Sequence, residues 1–183
     1  MRFAGFILLP MLALKMVDAQ PQADLNGIPE SRGVYYHAPS GWIGLPANPL
    51  LAMENGNVRW ILALGRSDAI AEIPGPHSAV QIPSSRPVFH LRGFSPSNAI
   101  YLVRETTKLD YREIRMPISI DMHTWAHFRS QDIVDYDLTP AGDGIASLRP
   151  KADLGAGEYA IVSLSEPAMR GIRISFDFGI AGK

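Results

Sequence analysis

Gly171-Ile-Arg-Ile-Ser-Phe-Asp-Phe178 alternates apolar and polar side chains without a break. A period of two marks a β-strand with one face on a core. The spacing places Ile172, Ile174, Phe176 and Phe178 inward, and Arg173, Ser175 and Asp177 outward. Residues 133–139 repeat the pattern, with Val134, Tyr136 and Leu138 on one face and Asp135 and Asp137 on the other. A fold rich in such segments buries one face of each sheet against another.

Working outward, short apolar runs lie between prolines and glycines, the punctuation of an all-β chain. Residues 33–37 and 42–45 predict a hairpin around Pro39-Ser-Gly41, closed off by Pro46-Ala-Asn-Pro49. Residues 50–53 read as a short strand, with Glu54-Asn-Gly-Asn57 as a turn. Residues 58–64 stay open, since Val58, Trp60 and Leu62 suit a strand while Trp60, Ile61 and Leu64 suit a helix face. Ile73-Pro-Gly-Pro-His-Ser78 reads as a loop, followed by strands at 78–82 and 87–91. Residues 100–105 and 111–116 predict a hairpin closed by 106–110, and 144–149 and 159–164 predict two more strands. The expected fold is an all-β antiparallel sandwich of roughly nine to eleven short strands. Residues 117–130 have no clear assignment.

Composition sets limits. The chain has 183 residues, 46% hydrophobic and 19% charged, which suits one folded domain rather than a disordered tail. A formal net charge of −1 argues against a general nucleic-acid binder. With no cysteine, disulfides, thiolate catalysis and Cys-based zinc sites are excluded. Residues 1–19 read as a signal peptide: Arg2 supplies the positive end, 3–14 an apolar stretch too short to span a bilayer, and Val17-Asp18-Ala19 a cleavage site. The expected layout is a signal peptide over 1–19, a mobile mature N-terminus over 20–32, a β-sandwich over 33–179 and a tail over 180–183. The expected location is periplasmic or extracellular, with no stable membrane insertion after cleavage.

Candidate chemistry is sparse. His123 and His127 stand four apart in His-Thr-Trp-Ala-His, a metal-ligand spacing on a helix, but Thr124 replaces the glutamate a zinc protease needs. Their surroundings read as loop or strand, so polar surface histidines around an exposed Trp125 are the simpler account. Asp135, Asp137 and Asp143 could join in a calcium site through carboxylates from loops. The same Asp135-x-Asp137-x-Thr139 spacing matches a phosphotransferase motif, yet alternation alone explains both aspartates as the wet face of a strand. No catalytic or cofactor-binding residue is nominated, and no cofactor is expected. Trp125 is the candidate exposed aromatic for a ligand, while the other aromatics read as core.

The segments Gly33-Val-Tyr-Tyr…Gly41-Trp42, Ile73-Pro-Gly-Pro-His-Ser78, Pro87-Val-Phe89, Tyr101-Leu-Val-Arg104, Arg112-Glu-Ile114 and Gly157-Glu-Tyr-Ala160 occur in that order. In this order they resemble a family of small exported bacterial β-domains without an assigned activity. The resemblance spans Gly33 to about Leu164 and implies a β-sandwich; it transfers no catalytic residue. The Leu-Val-Arg and Arg-Glu pieces would place Arg104 near Arg112 or Glu113 across a hairpin. Tyr159, after a Gly-rich turn, is expected to anchor its hydroxyl on loop backbone. The functional expectation is a non-enzymatic binding or structural module that meets another envelope protein. A carbohydrate- or metal-binding accessory domain is the alternative, and a hydrolase with an unrecognised site the second alternative.

Overall fold

The computed structural model describes residues 25–49, 58–63, 66–94, 99–118, 128–164 and 173–182. The signal-like segment 1–19, the strand expected at 50–53 and the His123–Trp125–His127 group lie outside the described residues.

The chain is all-β. The strands in order are β1 (Gly33–Ala38), β2 (Gly41–Gly44), β3 (Ala47–Pro49), β4 (Val58–Ala63), β5 (Arg66–Pro74), β6 (Gln81–Ile82) and β7 (Phe89–Arg92), then β8 (Ala99–Arg104), β9 (Thr106–Thr107), β10 (Tyr111–Ile118), β11 (Tyr136–Gly142), β12 (Ile145–Pro150), β13 (Gly157–Leu164) and β14 (Arg173–Ile180). They form three sheets. The first runs β11-β12-β7-β1-β2, the central one β3-β14-β13-β8, and the third β4-β5-β10-β9. Pairing is antiparallel except that the short β6 lies parallel to β14. The expected hairpin at Gly33 forms, with Tyr36 opposite Ile43 and His37 opposite Trp42. Residues 58–63 resolve as strand, because Val58–Ala63 pairs along β5.

Two cores explain the layering. Val34, Phe89, Leu91 and Leu148 of the first sheet meet Leu102, Tyr159, Ile161, Phe176 and Phe178 of the central one. Ala71, Ile73 and Ile114 of the third sheet meet Val103, Ala160 and Val162 on the other face of the central one. Alternate residues of β13 thus serve two cores, so six successive residues of that strand are buried. Strands covered on both faces lose the alternation in burial that a half-solvated sheet keeps.

That layering corrects the reading of β14. Ser175 and Asp177, expected at the solvent face, are 0% and 1% exposed. Alternation separates an apolar from a polar face; here the polar face meets a polar lining on the third sheet instead of water. The expected hairpin of residues 100–105 with 111–116 is also overturned. β8 pairs with β13 and β10 with β5, and only Thr106–Thr107 folds back on Arg112–Glu113. The chain changes sheets at Glu105, whose N–H bonds the carbonyl of Glu158. Arg104 therefore lies over the Tyr159 ring and bonds the Ala156 carbonyl, and it is Glu105, not Arg104, that meets Arg112.

Smaller differences follow from tertiary pairing. Ala47–Pro49, expected as a hairpin end, is an edge strand on β14, a place that tolerates proline. β5 was not expected at all, because Ser67, Asp68 and Glu72 give Arg66–Pro74 no strand-like alternation. Leu138, expected inward, is 45% exposed on the edge strand β11. Packing begins before Gly33: Ile28 is buried against Tyr35 and Ile145 on the outer face of the first sheet.

Candidate functional site

Two polar constellations stand out, one inside and one open.

The interior one joins the central and third sheets. Arg112 of β10 donates from Nε to Glu105 Oε2 at 2.8 Å and from Nη2 to Asp177 Oδ2 at 2.6 Å. Its Nη1 donates to the carbonyl of Gly75 at 2.8 Å. Asn48 Nδ2 donates to the second oxygen of Asp177. Nearby, Glu158 accepts from the Ser78 N–H at 2.8 Å and pairs with His77 Nδ1 at 3.0 Å. One guanidinium thus faces two dry carboxyl groups, Glu105 and Asp177, with the Glu158 carboxyl close by. Burial pushes the Glu105 carboxyl up to about 8, against the pull of Arg112 and with the help of Asp177 and Glu158. Glu105 Oε1 is buried and has no hydrogen-bond partner among the described residues. Arg112, Glu105 and Asp177 are each no more than 5% exposed, so this constellation ties two layers together and presents nothing to a ligand.

The open one lies on the outer face of the first sheet. Phe89 and Leu91 of β7 point into the core, which leaves His90 on the opposite face. Register then builds a row: Thr139 of β11 opposite Ser147 of β12, Ser147 opposite His90, and His90 opposite Tyr35 of β1. One step along, Asp137 stands opposite Arg149, and His37 opposite Trp42. One half of this face is covered. Ile28, Tyr35, Ile145 and Trp42 pack there, and the Trp42 indole N–H bonds the Asn26 carbonyl at 2.9 Å. The other half is an open recess of about 840 Å³ walled by Tyr36, His37, Arg86, His90, Asp137, Thr139, Ser147 and Arg149. That volume is typical of small-molecule sites, which run about 300–1,000 Å³.

Several contacts hold the walls. Trp42 stacks at a tilt on His37, ring centroids 4.7 Å apart, and meets the His90 ring edge-on at 5.2 Å. The Ser147 hydroxyl and His90 Nδ1 are 3.1 Å apart. Burial, and then the nearby His37, hold the His90 imidazole below its ordinary value, so it is neutral near pH 7. Arg86 donates from Nε to the carbonyl of Pro150 at 3.1 Å and from Nη2 to that of Lys151 at 2.6 Å, which fixes its guanidinium at the rim. Arg149 Nε is buried and has no hydrogen-bond partner among the described residues.

Of the sequence candidates, Asp137 lies in this recess; its carboxylate is 3.8 Å from Lys151 Nζ. Asp135 is exposed just before β11, while Asp143 sits on the turn at the far end of that strand. The length of β11, about 20 Å, keeps Asp143 from the other two. Among the described residues no group of three His, Cys, Asp or Glu could hold a metal ion. Trp125, His123 and His127 fall outside the described residues. Sequence reasoning missed His37, His90, Ser147 and Arg149. A faint signal existed, since His90 lies between the core positions Phe89 and Leu91 and Ser147 precedes the core position Leu148, but nothing in the sequence says that β7 lies beside β12. Tyr159 behaves as expected, donating its hydroxyl to the Gly155 carbonyl at 2.9 Å. Tyr35 repeats the device on the Ser31 carbonyl at 2.8 Å.

No protein-family model matches the chain, and neither a curated protein nor a solved structure does.

Proposed function

We propose that this protein is a non-enzymatic binding module that holds a saccharide unit in the recess of its first sheet. The observation that carries the reading is the recess itself. Arg86, Arg149, Asp137, Ser147 and Thr139 converge there with the ring of His37, while the Tyr36 ring turns to Phe89 on the core side. Sugars offer paired hydroxyls to charged and hydroxyl side chains and a C–H face to rings, and this wall supplies both.

The protein-partner reading has less support. The large hydrophobics that stand exposed among the described residues are Leu109 and Leu138, on separate elements, which makes no apolar patch. The β11 edge carries Pro140 and a register shift beside it, features that obstruct strand addition. A hydrolase would need more than the Ser147–His90 contact. Among the described residues no carboxylate bonds His90 to orient it; Trp42 packs against its ring instead. The signal-like pattern of residues 1–19 adds export to the proposal, and with it the kinship to small exported β-domains.

The test is a glycan array probed with the folded chain, followed by His37→Ala and Ser147→Ala. Saccharide binding that both variants weaken is the expected result. An array without signal, or binding that neither variant changes, overturns the reading.

A further inference from the structure

We infer that the recess recognises an oxyanion group on its ligand, a carboxylate or a phosphate, and that Arg149 is the residue that reads it. The inference rests on the recess being the ligand site.

Among the described residues Arg149 has no hydrogen-bond or ion-pair partner. It stands opposite Asp137 across the β11–β12 pair, yet no ion pair joins the two, and Asp137 lies 3.8 Å from Lys151 Nζ instead. The Nε–H of Arg149 is buried with no acceptor among the described residues. That Nε is closed off in the wall, while the residue as a whole is only half-buried and lines the recess, so a ligand acceptor meets the outer nitrogens of its guanidinium. A guanidinium keeps its charge throughout the working pH range, and its planar fork matches the two oxygens of a carboxylate or phosphate.

The neighbours complete the site. Arg86, fixed by two backbone carbonyls, brings a second guanidinium to the rim. Ser147 lies two residues before Arg149 on the same face of β12, with Thr139 opposite it, so two hydroxyls stand beside the arginine. Two guanidinium groups face one carboxylate, Asp137, which is itself beside a lysine. The wall is thus locally positive in a chain whose formal net charge is −1. A neutral saccharide would leave that charge unanswered; an acidic one meets it.

The experiment is an NMR titration of the folded chain with three probes: inorganic phosphate, a galacturonate trisaccharide and the methyl ester of that trisaccharide. Phosphate should shift the Arg149 Nε–H signal and the Ser147 and Thr139 amides saturably. The acid should bind at least about tenfold more tightly than its ester, the difference one charge-assisted hydrogen bond gives. Arg149→Gln should abolish that difference while the remaining amide spectrum stays in place, and Arg149→Lys should restore part of it. Equal binding of acid and ester overturns the anion inference and leaves the saccharide reading standing. Phosphate binding at Arg149 with neither trisaccharide bound supports the anion site and overturns the saccharide reading. No response near Arg149 to any probe overturns both.

Discussion

Replacing Glu105 by glutamine should leave stability almost unchanged at pH 5 and raise it at pH 8. The Glu105 side chain is wholly buried, and its carboxyl is pushed from an ordinary 4.5 up to about 8. Burial is the main cause; Arg112 opposes it, and Asp177 and Glu158 add to it. Between those two values the folded protein keeps a proton that the unfolded chain has released. The stabilisation is complete below the unfolded value and is lost as pH rises through the folded one. Integrated from pH 5 to pH 8, the loss from this one group is about 3 kcal/mol. That is a large share of a typical net stability of about 5–15 kcal/mol. Glutamine cannot ionise. It keeps an acceptor for Arg112 Nε and puts an amide where Glu105 Oε1 is buried without a partner. Urea unfolding of both proteins at several pH values between 5 and 8 measures the difference directly. Other groups titrate in both chains and cancel in it. Parallel decline of the two proteins over that range would refute the argument, because it would mean that Glu105 carries no raised proton affinity in the fold.

Arg112→Met leaves Asp177 buried without its counter-charge, takes a donor from Glu105, and should cost about 3–5 kcal/mol, read as a lower urea midpoint. A loss under about 1 kcal/mol would show that the pair is more hydrated than its burial implies. Tyr159→Phe removes the hydroxyl that binds the Gly155 carbonyl and should cost about 1 kcal/mol while leaving recess binding unchanged; an unaltered melting temperature contradicts this. The His90 imidazole should titrate below 6.5 in an NMR pH series, since burial and His37 disfavour its charged form. The unfolded chain takes up that proton first, so this group lowers stability as pH falls below 6.5; an ordinary titration would place His90 in water.

Several strands were legible because their signal is local. β1 with β2 and β14 are readable from alternation and turn residues within a dozen positions, and β13 from a short apolar run behind a Gly-rich turn. β5 was not, because its strand character comes from long pairing with β10 and β4 rather than from its own pattern. The split of β8 and β10 into different sheets was hidden for a related reason. A loop of suitable length permits a hairpin but does not oblige one, and each strand finds a longer partner elsewhere. In the recess, Asp137 was the sole candidate met in advance, noticed for spacing to Asp135 and Asp143 rather than for its true neighbour Arg149.

The sequence alone determined the class of the fold and the two chemically distinct faces of its strands, since both follow from a side-chain period of two. It also made Tyr159 an anchor, because the turn before it and the ring are four residues apart. The tertiary structure decided what each polar face meets. On β14 that face is sealed under Arg112, so Asp177 becomes part of a dry ion network. On β7 and β12 it lies open, so His90, Ser147 and Arg149 wall a recess. The physical reason is that alternation is a property of neighbours in the chain, whereas the layer that covers a face comes from strands far away in it.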